Sequence, residues 1–281
     1  MEIKKEKVKS PKSKKSRITS IVILIWILSI AVIIIAPSVY QYICKSREHE
    51  DLASKIDDEL LKANVCIIAK EHIVTTESDN ISYSEGASGV IIGKEGKTYY
   101  VLTAYHIVSE TEGKEYGIFL YGEQTYKEYK DAAGKWVPYD NYYDRLPKAE
   151  IVDTYEEFDL AVISFETEAD LNVLEISDDA PEHGDRIVVV GNPEGERFVS
   201  SYGKITSKEM VQFETNDGFG SNQVWEHNAY VAEGSSGSAI LNENMEIVGI
   251  NIGGGEDFLG RFRSGAMIPC DCFKEIVEEY I

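Results

Sequence analysis

Two hydrophobic patterns divide the chain. Residues 18–36 (ITSIVILIWILSIAVIIIA) form one uninterrupted apolar run with no charged side chain. As a helix the run is roughly 28 Å long, close to the hydrocarbon thickness of a bilayer. From residue 63 onward the pattern changes to short, β-branched runs at 65–69, 89–92, 99–102, 117–121, 149–152, 160–165, 186–190, 203–206, 229–231, 238–241 and 247–252. Turn signals such as Gly191-Asn192-Pro193 and Asn216-Asp217-Gly218 separate them. Many short strands at this spacing predict an all-β barrel or sandwich of one enzyme-sized unit. Between the two regimes, Leu52, Ile56, Leu60 and Leu61 fall near helical spacing in a charged segment, which predicts an amphipathic connector over 40–62. Only the last ten or so residues, 272–281, return to a helical pattern. One stretch fits neither period: residues 121–148 are Tyr-rich, with weak alternation, and read either as a functional, mobile loop or as a surface hairpin stiffened by its aromatics.

Charge sharpens this division. The 281 residues carry 28 Lys and Arg against 49 Asp and Glu, a formal net charge of −21. Residues 1–17 hold eight bases and two acids, a local +6, so the remaining 264 residues carry 20 bases and 47 acids, or −27. An acidic surface of this kind argues against a nucleic-acid partner, which needs cations to neutralise phosphate. The basic tail beside an apolar run instead sets topology: residues 1–17 stay cytoplasmic, 18–39 form a signal-anchor helix, and the domain over 63–281 lies on the far side of the cell membrane. A cleaved signal peptide is the rival reading, with small residues Ala36 and Ser38 around Pro37, but the apolar run exceeds the usual length of such signals. An exported domain permits disulfides among Cys44, Cys66, Cys270 and Cys272, and both free thiols and one disulfide fit the spacing.

Three sites carry candidate chemistry. His106 ends a buried-looking strand, where an imidazole can act as a base near neutral pH; the other four histidines sit in polar surroundings and read as solvated. Asp159 enters the continuously apolar run Leu160-Ala161-Val162-Ile163, and a carboxylate there needs a partner. Gly234-Ser235-Ser236-Gly237-Ser238 places a serine between glycines, which lets the backbone turn sharply and aim amide N–H groups at one point. The order His, Asp, Ser is the one used by chymotrypsin-type enzymes.

At these residues the chain resembles trypsin-like serine proteases of the HtrA/Deg type. Thr103-Ala104-Tyr105-His106, Phe158-Asp159-Leu160-Ala161 and Gly234-Ser235-Ser236-Gly237-Ser238 look like that family's three catalytic elements. Further matches are Gly86-Ala87-Ser88-Gly89, Gly191-Asn192-Pro193, Gly203-Lys204-Ile205-Thr206-Ser207 and Ile247-Val248-Gly249-Ile250-Asn251. The resemblance implies a double β-barrel following one transmembrane helix, with His106, Asp159 and Ser236 as a triad in the cleft between barrels. It implies an oxyanion hole at the amides of Gly234 and Ser236, protein or peptide substrates, and no metal or cofactor. Tyr230, Asn251, Ile252 and Gly253 are the expected substrate-binding residues. No Asp stands at Tyr230, so small or medium apolar residues are expected at the cleaved position. The resemblance also implies a homo-oligomer, a trimer, with its contact over 46–68. No PDZ domain is expected after the barrel, and the Tyr-rich insertion lengthens the interval between His106 and Asp159, where it is expected to shape the cleft. Two other readings share these residues: a secreted glutamyl-endopeptidase-like enzyme, and a protease-like binding or sensor module whose cleft does not turn over.

Overall fold

The computed structural model describes residues 50–74, 79–109, 113–214, 221–256 and 259–281. The basic tail, the apolar run 18–36, Cys44 and His49 lie outside the described residues; among those described, no helix is long and apolar enough to cross a membrane.

Among the described residues, fourteen strands form two seven-stranded antiparallel sheets. The first contains β1 (Asn64–Val74), β2 (Asp79–Tyr83), β3 (Ala87–Glu95), β4 (Thr98–Ala104), β5 (Lys114–Leu120), β6 (Lys148–Tyr155) and β7 (Leu160–Glu166). Its order is β2-β1-β3-β4-β7-β6-β5, and β5 pairs back onto β1 from Val65↔Leu120 to Glu71↔Lys114, closing six strands into a barrel. The second contains β8 (Arg186–Gly191), β9 (Val199–Lys204), β10 (Val211–Glu214), β11 (Ser221–His227), β12 (Ala239–Leu241), β13 (Ile247–Glu256) and β14 (Phe262–Pro269), in the order β10-β11-β14-β13-β12-β8-β9. A single bridge, Ile205↔His227, brings the end of β9 onto β11 and rounds this sheet toward a second barrel.

The apolar runs are continuous because the strands between the two sheets are covered on both faces. Alternate residues of β3 divide between two cores: Ile91 points into the first barrel, while Val90 and Ile92 face the core shared by the two sheets. In the second sheet, Ile187, Val189 and Ile240 point inward, and Val188, Val190 and Leu241 join the shared core. Side chains alternate across a strand, so only a strand buried on both faces reads as an unbroken apolar run.

Four expectations change. The compact unit begins at Leu52 and not at 63, because Leu52 and Leu60 are buried and Leu60 enters the shared core. Asp57 caps the short helix α1 (Asp58–Leu61) by accepting from the Leu60 amide at 2.9 Å. Residues 65–68, part of the expected oligomer contact, are buried, Val65 and Ile67 inside the first barrel and Cys66 and Ile68 beneath the insertion, and offer no surface to a second copy. Residues 229–231 are not a strand, since β11 ends at His227 and the chain then leaves the sheet. Residues 272–281 carry only the end of a one-turn helix (Cys270–Phe273) and a 3₁₀ turn (Glu278–Tyr280). Cys66, Cys270 and Cys272 are free thiols, and burial pushes the Cys66 thiol up to about 12.

The Tyr-rich insertion holds a tight turn, with Lys130 bridged antiparallel to Trp136, and a packed aromatic cluster. Its short helix α2 (Tyr139–Tyr143) buries Tyr142, Tyr143 and Leu146 against Cys66, Ile68 and Phe119, forming a small core on the outside of β1 and β5. Tyr126, Tyr139 and Tyr142 pack mutually, with ring centroids 4.7–5.7 Å apart. The Arg145 guanidinium lies 4.0 Å from the Tyr129 ring centre and the Lys148 ammonium 3.6 Å from that of Tyr143.

Candidate active site

The β4–β7 ladder brings His106 and Asp159 together. Ala104 pairs with Leu160 at the end of that ladder, so the residues just beyond it on each strand are neighbours despite a separation of 53 positions. His106 sits in the 3₁₀ turn Tyr105–Ile107 that follows β4. Asp159 is fully buried and takes the left-handed conformation, φ +52, at the end of a 3₁₀ turn. That conformation costs a non-glycine residue about 1 kcal/mol or more, and three hydrogen bonds offset it. The His106 amide donates to Asp159 Oδ1 at 2.9 Å, His106 Nδ1 lies 2.7 Å from Oδ2, and the Tyr105 amide donates to the Asp159 carbonyl at 2.9 Å. An ionised carboxylate can only accept here, so Nδ1 is the donor, and in the neutral tautomer this selects, Nε2 is left as the acceptor.

Ser236 lies in the loop between β11 and β12. Gly234 and Gly237 take φ +89 and +82, angles that favour glycine. The approach is so close that a Cβ on Gly237 would collide with the Ser88 carbonyl oxygen and with Thr103 Oγ1, three residues before His106. Three buried polar side chains pin the loop there. The Ser88 amide donates to the Ser236 carbonyl at 2.9 Å and Ser88 Oγ to the Gly234 carbonyl at 2.8 Å. Asn192 Nδ2 donates to the Val65 carbonyl at 3.1 Å and its amide to Ser88 Oγ at 2.9 Å, which joins the two sheets at this point. Thr103 Oγ1 donates to the Ser88 carbonyl at 2.7 Å. Ser88 and Asn192 belong to motifs visible in the sequence, but nothing in their neighbours announces this role.

Two peptide planes in the loop have fixed orientations. The Glu233 carbonyl accepts from the Glu194 amide at 2.7 Å, and the Ser235 carbonyl accepts from the Ser238 amide at 3.0 Å and from Asn251 Nδ2 at 3.1 Å. In a trans peptide the N–H points away from the C=O, so the Gly234 and Ser236 amides face the opposite side. Neither donates to an acceptor among the described residues.

Beside this loop is a cavity of about 510 Å³ lined by Ser236. Of the expected substrate-binding residues, Tyr230 and Gly253 line it, with the Tyr230 ring edge-on to Phe262 at 5.4 Å. Asn251 and Ile252 do not. Ile252 is buried in the shared core, and Asn251 stands behind the loop, bracing the Ser235 carbonyl and lying 3.3 Å from His227 Nε2. His227 itself corrects the reading of the four other histidines as solvated: it is fully buried, packed on Gly265, and burial pulls it down to about 4. Four glutamates, at 85, 194, 233 and 256, line the cavity, and no Lys or Arg among the described residues does.

Two closed or nearly closed antiparallel barrels, with a His–Asp pair at one strand end and a glycine-framed serine loop against it, define a chymotrypsin-type protease architecture. Residues 87–250 match the model of the trypsin-like peptidase domain, and the chain belongs to that family. Among curated relatives it is 26% identical over 210 residues to a protein named "Serine protease HtrA-like" from Staphylococcus epidermidis, covering 72% of this chain and 32% of the relative. It is 25% identical over 181 residues to "Serine protease Do-like HtrA" of Lactococcus lactis, covering 63% of this chain and 39% of that protein. A Staphylococcus aureus "Serine protease HtrA-like" is 25% identical over 61% of this chain and 20% of its own length. The chain thus spans between a fifth and two fifths of the length of these relatives.

Proposed function

We propose that the protein is a membrane-tethered, extracytoplasmic serine endopeptidase that cleaves peptide bonds through an acyl-enzyme. The observation that carries this reading is the buried Asp159 carboxylate on His106 Nδ1, with the Ser236 loop pressed against Thr103 in the strand that leads to His106. Ser236 attacks the scissile carbonyl while His106 Nε2 takes its proton, and Asp159 holds the ring and stabilises the imidazolium that forms. The oxyanion gathers the two free amides of Gly234 and Ser236, whose peptide planes are already held from the other side and need not reorganise. His106 then returns the proton to the departing amine, and water repeats the sequence on the acyl-enzyme.

The cleaved residue sits in the cavity beside Tyr230, Val231 and Gly253, an environment for a small or medium apolar side chain, and the four glutamates disfavour acidic substrates. The +6 tail and the apolar run 18–36 support a single-pass anchor with the tail cytoplasmic. Assembly as a trimer through 46–62 belongs to the same reading. The test is cleavage of an unfolded protein by membranes carrying the full chain, compared with Ser236→Ala. Turnover is expected from wild type alone, on the extracytoplasmic side, resistant to alkaline extraction. Equal proteolysis by Ser236→Ala would remove the proposal, and a released, active domain lacking residues 1–38 would remove the anchor.

A further inference from the structure

A second cavity, about 330 Å³, opens on the far side of Glu85 and Glu194, which line both it and the cavity at Ser236. Its wall is aromatic, with Phe119 from β5 and Tyr126, Tyr139 and Tyr142 from the insertion. None of β13 or β14 contributes to it, so the two cavities extend from the Glu85–Glu194 partition in different directions.

We infer that the Tyr-rich insertion builds a subsite for the leaving-group half of the substrate, selecting a large aromatic or aliphatic side chain among the first four residues after the scissile bond. This rests on the endopeptidase reading, in which the acyl half occupies the cavity at Tyr230 and Gly253. A chain continuing past Ser236 must then run the other way, over the partition and along the insertion. The chemistry of the lining chooses the occupant. The aromatic rings are held against one another and are already ordered, so an apolar side chain is buried at little cost in wall entropy. Two cations, Lys127 and Arg197, line the cavity together with two anions, Glu85 and Glu194, so the lining carries no net charge, and the Arg197 guanidinium is committed to the backbone carbonyls of Glu85, Gly195 and Glu196, at 2.5, 3.0 and 3.3 Å. With charges balanced, the aromatic rings decide the occupant, and a carboxylate buried against them loses its water. The interval between His106 and Asp159 is therefore long because it carries a piece of the substrate-binding surface.

The experiment profiles a peptide library varied at the four leaving-group positions, with the acyl half held constant, by kcat/KM. At one of these positions Phe, Tyr or Leu is expected to exceed Gly by about 10- to 100-fold and Asp by more, the range an apolar pocket can discriminate. That ratio should fall to a few-fold in Tyr126→Ala and persist in Tyr126→Phe, which keeps the ring. A flat wild-type profile at all four positions, or the same ratio in Tyr126→Ala, overturns the inference. Direct binding of the same peptides to Ser236→Ala separates the two readings. Side-chain discrimination in binding without turnover by wild type would sustain the subsite and sink the endopeptidase. Turnover with no discrimination in rate or binding would do the reverse.

Discussion

Acidification should cost the fold stability through His227, a residue buried behind the loop that carries Ser236 and outside the cavity lining. His227 is buried without charge, and its ionisation is pulled from 6.5 to about 4 by desolvation, partly countered by Asn251. The unfolded chain protonates this imidazole near its ordinary value, so between roughly pH 6.5 and 4 the unfolded state holds more protons and stability falls as pH falls. Each pH unit by which the folded and unfolded ionisations differ is worth about 1.4 kcal/mol. The contribution lost is then about 2 kcal/mol by pH 5 and about 3 kcal/mol by pH 4, with the full stability present above pH 6.5. Asn251 spans His227 and the Ser235 carbonyl, and its contact with the ring favours the charged form, so the loss comes from desolvating the imidazolium and not from breaking that contact. The assay is urea denaturation of wild type and His227→Gln from pH 7.5 to 4.5. Carboxylates contribute an acid dependence to both proteins, so the quantity read is the difference in slope. Wild type should lose about 2 kcal/mol more than the variant between pH 7.5 and 5. Parallel curves would refute the reasoning.

Three further outcomes follow from the same geometry. Asp159→Asn removes the acceptor that sets the His106 tautomer and should lower kcat by about 10⁴-fold in a peptide assay; a loss under tenfold would mean that Asp159 does not orient the ring. Asn192→Ala strips hydrogen bonds from buried carbonyls of Val65 and Ala87 and should cost about 3 kcal/mol in urea midpoint analysis; a neutral result would show that the sheets are not tied there. Gly237→Ala should be far more damaging than Gly134→Ala: both glycines have positive φ, but a Cβ at Gly134 meets nothing within 4 Å while at Gly237 it strikes Ser88 and Thr103. The first should abolish soluble expression or cost several kcal/mol, the second about 1 kcal/mol; similar midpoints for both would contradict the close approach.

Much of this architecture is legible in the chain because its chemistry sits at strand ends. His106 and Asp159 flank apolar runs that pair with each other, and strands covered on both faces announce themselves by losing alternation. Other features depend on contacts far apart in sequence. His227 follows Trp225-Glu226 and looks solvated, yet its burial comes from Gly265, 38 residues on, which leaves room for the ring. Motif position puts Asn251 and Ile252 at the substrate, but β13 has a bulge between Asn251 and Gly253, and it is Gly253 that reaches the cavity. The strands β2, β10, β11 and β14 leave no clear pattern because segments such as SNQVWEH and FRSGAMIP mix polar residues, Gly and Pro into half-exposed strands. The insertion misleads for a different reason: tyrosines count as polar in a pattern of periods, while here their rings form a core.

Catalysis of this kind requires an activated Ser236. Intact mass after exposure to a serine-directed fluorophosphonate measures this most directly, because the probe reacts with a serine whose hydroxyl has a working base and oxyanion site. One adduct per chain, mapped to the peptide carrying Ser236 and absent from His106→Ala and Ser236→Ala, is the result predicted. A folded wild type that takes up no adduct, or labels equally well in His106→Ala, would contradict it.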